Sequence, residues 1–114
     1  MMNFACKKFT VDDIIKCSLN LTKSECRLFQ TLLYEDEELT VKEIANQLKI
    51  DRTTVQKGIK SLVEKSILIR LQENLEKGGY TFRYKIKDKE IVRNMIKKNI
   101  SQWYNEVLVQ IGKW

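Results

Sequence analysis

Apolar residues recur at helical spacing in four short segments, then alternate with charged residues, then return to a long helical stripe. Val11, Ile14 and Ile15, with Ser18, share one face of the first segment. Cys26, Leu28, Phe29, Leu32 and Leu33 do so in the second, and Val41, Ile44, Ala45 and Leu48 in the third. Val55, Ile59, Leu62 and Val63 form the fourth face. Start signals precede the segments. Thr22-Lys-Ser-Glu25 and Thr40-Val-Lys-Glu43 both read as capping boxes, in which Thr and the Glu three residues on satisfy each other's free backbone N–H groups. Thr10-Val-Asp-Asp13 is a weaker version, and Asp51 can cap the fourth helix by accepting from the N–H groups of Thr53 or Thr54. From Tyr80 the period falls to two: Tyr80, Phe82, Tyr84 and Ile86 alternate with Thr81, Arg83, Lys85 and Lys87, which predicts a half-exposed strand whose aromatic rings pack on the core. Ile67–Gln72 reads as its partner, and Asn74–Gly79 supplies the positive-φ positions of a hairpin loop. After Asp88 a helix is expected to run to about Gly112, with Ile91, Met95, Ile96, Ile100, Trp103, Val107 and Ile111 along one stripe.

That order predicts a mainly α fold with a small β-hairpin. Helices three and four are separated only by Lys49, Ile50 and Asp51. Two helices joined this closely make a helix-turn-helix, in which the second helix, about 52–65, can enter a major groove about 12 Å wide. A basic hairpin over 67–87, directly after it, makes the winged version. No repeat, low-complexity tract or Gly/Ser linker divides the chain, so residues 1–114 read as one domain: a core over 10–87 and a C-terminal dimerisation helix over 88–114. A helix of about 24 residues is ~36 Å long, more than such a core can cover. Ile96, Ile100, Trp103, Val107 and Ile111 continue along it at spacings of four, three, four and four, a seam of coiled-coil type. A homodimer interface is expected there, joined by Phe4, Phe9 and Ile14 from the N-terminal segment.

Composition narrows the function. The 114 residues include no His, which removes the commonest general base and metal ligand. Cys6, Cys17 and Cys26, eleven and nine residues apart, match no metal-binding or disulfide pattern and read as small buried apolar residues. No run of 18 apolar residues crosses a membrane, and Met1–Thr10 lacks the apolar stretch of a signal peptide. The expectation is a cytoplasmic protein that is not an enzyme, with no cofactor, no metal and no membrane partner.

Charge adds a direction. The net charge of +6 hides the acidic run Glu35-Asp36-Glu37-Glu38. Residues 49–87 hold ten basic and four acidic side chains, which equals the whole excess, so the other 75 residues cancel. Segregation of this kind points to a surface that meets a polyanion. On the fourth helix the inward turn of Val55, Ile59 and Leu62 forces Arg52, Thr53, Gln56, Lys57 and Lys60 outward. Arg suits guanine edges, Gln suits adenine, and Thr suits a thymine methyl or a phosphate. Thr54, at the helix start, and Thr40, which caps the preceding helix, stand where free N–H groups favour a phosphate. In the hairpin, Lys77 lies near the tip and Arg83 and Lys85 lie on the polar face, suited to flanking phosphates or to protection of an edge strand. Arg70 reads two ways, as a DNA contact or as the partner of Glu73 or Asp51.

The sequence resembles the winged helix-turn-helix domain of the TrmB-like and MarR-like transcriptional regulators. The resemblance runs through Leu21–Leu28, Leu39–Leu48, Asp51–Lys57 and Leu62–Arg70, and covers roughly residues 20 to 87. It implies sequence-dependent binding of double-stranded DNA as a homodimer, with the terminal helices forming the dimer. Geometry then sets the two recognition helices about 34–36 Å apart. Two departures stand out. The family usually has Gly where Ser66 stands, which puts a left-handed conformation on a residue with a side chain. TrmB-like proteins also often carry a C-terminal sugar-binding domain, for which this chain is too short, so sugar sensing does not carry over and any small-molecule effector is unknown. The alternative reading is a winged helix that serves as a protein-interaction module in a transcription or replication assembly, with the acidic run and the C-terminal stripe as working surfaces.

Overall fold

The computed structural model describes residues 2–35 and 37–114. The chain begins with a hairpin of β1 (Met2–Phe4) and β2 (Lys7–Phe9), which the alternation pattern did not predict. Four helices follow: α1 (Val11–Ser18), α2 (Lys23–Tyr34), α3 (Val41–Leu48) and α4 (Arg52–Glu64). A second antiparallel hairpin joins β3 (Leu68–Asn74) to β4 (Tyr80–Ile86), and α5 (Lys89–Gly112) closes the chain. The predicted order of four helices, hairpin and long helix is the observed one. Asp36, within the acidic run, lies outside the described residues; Glu35, Glu37 and Glu38 are exposed.

The caps explain where the helices start. Thr10 and Thr22 form full capping boxes with Asp13 and Glu25. Thr40 forms only half of one. Its hydroxyl accepts the Glu43 N–H at 3.1 Å, but the Glu43 carboxylate turns to the Thr40 hydroxyl and to Arg83 instead of the Thr40 backbone. Asp51 caps α4 through the Thr54 N–H. The turn between α3 and α4 closes with Lys49 at φ 56°, and the exit from α4 with Ser66 at φ 62°.

Leu28, Phe29, Leu32, Ile44, Val55, Ile59, Leu62, Ile67 and Leu68 are buried in one core. α2 and α4 approach most closely at Gly58, where a Cβ would sit 2.2 Å from Leu28 Cδ1. No larger residue fits without moving a fully buried leucine. α1 buries nothing completely: Val11 is exposed, while Ile14 and Ile15 are half-buried. Of the three cysteines expected inside, only Cys26 is buried; Cys6, in the N-terminal turn, and Cys17, on α1, are exposed. Burial, helped by Asp12 and Asp13, pushes the Cys26 thiol up, away from reactivity.

The second hairpin has two distinct faces. Arg70 pairs with Tyr84, Gln72 with Phe82 and Asn74 with Tyr80, so these six side chains share one face, and Leu71, Glu73, Arg83 and Lys85 lie on the other. Ile86 is buried at the base and Tyr84 packs against the core. The expectation that all the aromatic residues of this strand pack inward fails beyond that point. Phe82 is half-buried and Tyr80 is 59% exposed, because the strands outrun the helices beneath them. A further pairing, Leu39 N–H to Tyr84 O and Tyr84 N–H to Leu39 O, ties the segment before α3 to β4.

α5 sets the shape. The molecule measures 67 × 24 × 23 Å, and only the first part of this helix meets the core, through Val92, Met95 and Ile96. Asn99 donates to the Ser18 carbonyl at 2.6 Å, fixing α5 to the end of α1. Beyond Asn99 the helix runs free of the rest of the chain, with Ile100, Trp103, Tyr104, Leu108, Val109 and Ile111 exposed.

Candidate nucleic-acid interface

The outer face of α4 is built by subtraction. Val55, Gly58, Ile59 and Leu62 turn inward and are buried, which leaves Arg52, Thr53, Gln56, Lys57 and Lys60 exposed on the opposite side. None of these three cations makes an ion pair among the described residues. Both ends of the helix are fixed. At the start, Asp51 accepts the Thr54 N–H at 3.2 Å and the Thr54 hydroxyl at 2.5 Å, and these bonds hold its carboxyl below the usual range. At the other end Glu25 of α2 accepts from Ser61 Oγ at 2.6 Å and from Lys65 Nζ at 3.2 Å, while also accepting the Thr22 N–H. Burial opposes ionisation of Glu25, yet the hydrogen bonds from Ser61, Thr22 and Lys65 outweigh it and hold the carboxyl below its ordinary value. Periodicity could not reveal this link, because it joins residues 36 and 40 positions apart.

Several residues expected at the interface are engaged within the chain. The Thr54 hydroxyl is donated to Asp51, and the Thr40 hydroxyl to Glu43 at 3.0 Å. Arg83, expected to face a phosphate, bonds Glu73 through Nε and Glu43 through Nη1 at 3.1 Å, and donates to the Glu38 carbonyl. It pins the hairpin to the start of α3. Lys77, at the hairpin tip, and Lys85 are exposed.

Arg70 pairs with neither Glu73 nor Asp51. Its guanidinium lies 4.3 Å from the centroid of the Phe82 ring, and Phe82 in turn meets Tyr80 edge-on at 5.3 Å. Arg70 and Tyr84 also line a groove of about 330 Å³ whose other walls are Val41, Gln56, Ile59, Lys60, Val63 and Glu64. The hairpin and the outer face of α4 therefore share one concave surface.

The residues expected to join two copies divide in the structure. Ile100, Trp103 and Ile111 are exposed on the free half of α5, and Val107 is half-buried there. Ile96 instead packs against its own core, and Ile14 is half-buried on α1. Tyr104, Leu108, Val109 and Trp114 widen the apolar surface beyond the predicted seam. Among the described residues, no helix is long and apolar enough to cross a membrane.

Comparison with known proteins gives this geometry a context. The family described as "Sugar-specific transcriptional regulator TrmB" matches residues 15–90, which span the helices and both strands of the second hairpin. An uncharacterized protein of Methanocaldococcus jannaschii, MJ1082, is 39% identical over 101 residues, covering 89% of this chain and 82% of its own. A solved structure from Methanosarcina mazei Go1, described as a possible transcriptional regulator, superposes with a TM-score of 0.88 at 42% identity, covering 100% of this chain and 96% of that one. A mutant of Staphylococcus aureus MepR, solved bound to an oligodeoxyribonucleotide, shares the fold at 15% identity with a TM-score of 0.58, over 91% of this chain and 73% of that one.

Proposed function

The chain belongs to the TrmB family of winged-helix transcriptional regulators, and from that premise we propose that it binds double-stranded DNA as a homodimer. α4 is the recognition helix and β3–β4 the wing. One observation carries the reading: Arg52, Lys57 and Lys60 stand exposed, with no ion pair among the described residues, beside Gln56 and Thr53 on a helix whose opposite face is buried. Three such cations beside two hydrogen-bonding side chains suit phosphates and the edges of bases in a major groove. Thr40, Thr54 and Arg83 take a supporting part, because their polar atoms hold α3, α4 and the wing in place. Lys77 and Lys85 remain available to flanking phosphates.

The free half of α5 supplies the dimer. Ile100, Trp103, Val107 and Ile111 present a stripe that one core cannot cover, and a second copy brings the same stripe in the same register. Two recognition helices then read a near-palindromic site on one face of the duplex. A cytoplasmic placement goes with this role.

Fluorescence-anisotropy titrations on duplex DNA at several salt concentrations test the reading. Affinity should fall steeply with salt, with a slope near −0.9 per phosphate neutralised. Lys57→Ala should weaken binding, whereas Lys113→Ala, at the far end of α5, should not. Absence of binding to any duplex from a random pool at low salt overturns the proposal. Retained binding after Arg52, Lys57 and Lys60 are neutralised together would favour a protein-interaction module instead.

A further inference from the structure

The wing carries two arginines, and they lie on opposite faces of its two strands. Arg83 sits on the face with Glu73 and is bonded to Glu73, Glu43 and the Glu38 carbonyl. Arg70 sits on the other face, stands exposed, and makes no ion pair among the described residues. An exposed arginine on a small protein is ordinary; one held over an aromatic ring and lining a shared groove is not. Phe82 lies 4.3 Å beneath the guanidinium, and Tyr80 braces Phe82 edge-on from the tip side. The ring restrains the planar group without consuming any of its five donors. The same groove receives Gln56 and Lys60 from α4.

We propose that Arg70, seated on Phe82, is the wing's principal phosphate contact, and that with Lys60 it grips a backbone phosphate at the edge of the major groove entered by α4. The inference rests on the proposed DNA binding and adds to it a residue, a face of the wing and a ligand group. Its logic is geometric. A duplex whose major groove takes the outer face of α4 brings a phosphate strand along the rim of that groove, where Arg70 and Lys60 converge from two elements. The cation on the opposite face, Arg83, is already neutralised by two carboxylates and has little charge to offer a third anion. Tyr80 and Phe82, left uncovered by the core, have a use on this account: they form the platform that holds the guanidinium.

Four proteins test the assignment on one duplex selected with the wild type: wild type, Arg70→Ala, Phe82→Leu and Arg83→Ala. Anisotropy is recorded across a salt series, with thermal melting as a control on folding. Arg70→Ala should bind about tenfold more weakly at low salt, the loss expected of one charge-assisted contact. Its log–log salt slope should be shallower by about 0.9, one phosphate fewer in each half-site. Phe82→Leu keeps the charge and loses the platform, so it should weaken binding several-fold while the slope stays near that of wild type. Arg83→Ala should lower the melting temperature and leave the slope unchanged. If wild type binds and Arg70→Ala keeps both its affinity and its slope, or if Arg83→Ala is the variant that flattens the slope, the assignment is overturned while the DNA-binding reading stands. If wild type itself binds no duplex, it is the underlying reading that fails.

Discussion

The two helices that carry most of the function, α4 and α5, solve the problem of an apolar stripe in opposite ways. α4 buries Val55, Ile59 and Leu62 entirely within its own chain, and its ends are fastened by Asp51 and by Glu25. α5 buries only Val92 completely; past Asn99 its large apolar residues face outward, Trp103 at 61% exposure. The first helix is finished by one copy of the chain and leaves a polar surface for a ligand. The second is finished only by another apolar surface. Stability of the α4 region should therefore be independent of protein concentration, whereas that of the free half of α5 should rise with it.

The largest effect is expected where that dependence is greatest. Replacing Trp103 and Ile111 together with Glu puts two like charges on a stripe that would face its own copy. The dimer dissociation constant should rise by about three orders of magnitude or more, from the lost burial of two large side chains at about 1.5–3 kcal/mol each. Sedimentation equilibrium reads this directly. The variant should remain folded, because neither residue meets the core. If the double variant stays dimeric, or if wild type is a monomer at all concentrations, α5 does not join two copies.

The next effect lies on α4 and should show no concentration dependence. Glu25→Gln replaces a carboxylate that accepts from Ser61, Lys65 and the Thr22 backbone with an amide that can satisfy fewer of them. At neutral pH the loss should be about 1–2 kcal/mol, in the range for buried hydrogen bonds to a charged group. The pH dependence has a definite sign. The folded-state pKa of Glu25 lies below its ordinary 4.5, so its contribution is present above that value and is lost as pH falls through the folded pKa. Urea denaturation of both proteins from pH 7 to pH 3 should show the gap closing below about pH 4.5. A gap that holds constant to pH 3 would mean that the carboxylate charge contributes nothing.

Gly58→Ala sharpens the same contrast from inside the helix. Alanine improves helix propensity by about 1 kcal/mol, but its Cβ would lie 2.2 Å from a Leu28 methyl that has nowhere to go. Overpacking costs typically about 1–3 kcal/mol, so the net change should be a loss of about 1 kcal/mol, read as a lower denaturation midpoint at every protein concentration. Gly112→Ala on α5 is the matched control. No atom lies within 4 Å of the added Cβ, and no loss is expected.

Much of this was legible in the sequence because it is local. Capping boxes at Thr10 and Thr22, the three-residue turn before Arg52, and the alternation from Tyr80 all act over fewer than eight residues, and each places its element within a residue or two of where it lies. The outward set Arg52, Thr53, Gln56, Lys57 and Lys60 was readable for the same reason, since it is the complement of an apolar face. The long-range links were not. Arg83 looked free because its partners Glu43 and Glu38 lie 40 and 45 residues away, and Arg70 looked paired because Glu73 is its near neighbour. Alternation correctly put Tyr80, Phe82 and Tyr84 on one face, but only the extent of α3 and α4 beneath decides where along the strand that face stops being core. The N-terminal hairpin escaped notice because three-residue strands leave too short a record of period two, and its turn uses Ala5 at φ 47° where a glycine would have signalled it.

Ser66 gives the smallest expected change. It follows α4 and takes φ 62°, a conformation that brings a Cβ too close to the backbone and costs an L-residue roughly 1–2 kcal/mol. The position is nevertheless fixed by its neighbours: Ser66 N–H bonds the Val63 carbonyl at 3.0 Å, and Ile67 N–H bonds that of Leu62 at 3.0 Å. These two bonds end the helix and turn the chain into β3, so the backbone cannot relax toward a right-handed shape without losing them. Ser66→Gly removes the strain and adds freedom to the unfolded chain, two effects of opposite sign. Strain relief should win, for a gain of about 0.5 kcal/mol, because the serine side chain is exposed and makes no hydrogen bond among the described residues that glycine would forfeit. A higher denaturation midpoint with unchanged DNA affinity is the expected result. A lower midpoint would mean that the strain at this exit is offset by the side chain, and that the end of α4 is held less firmly by its backbone bonds than its geometry implies.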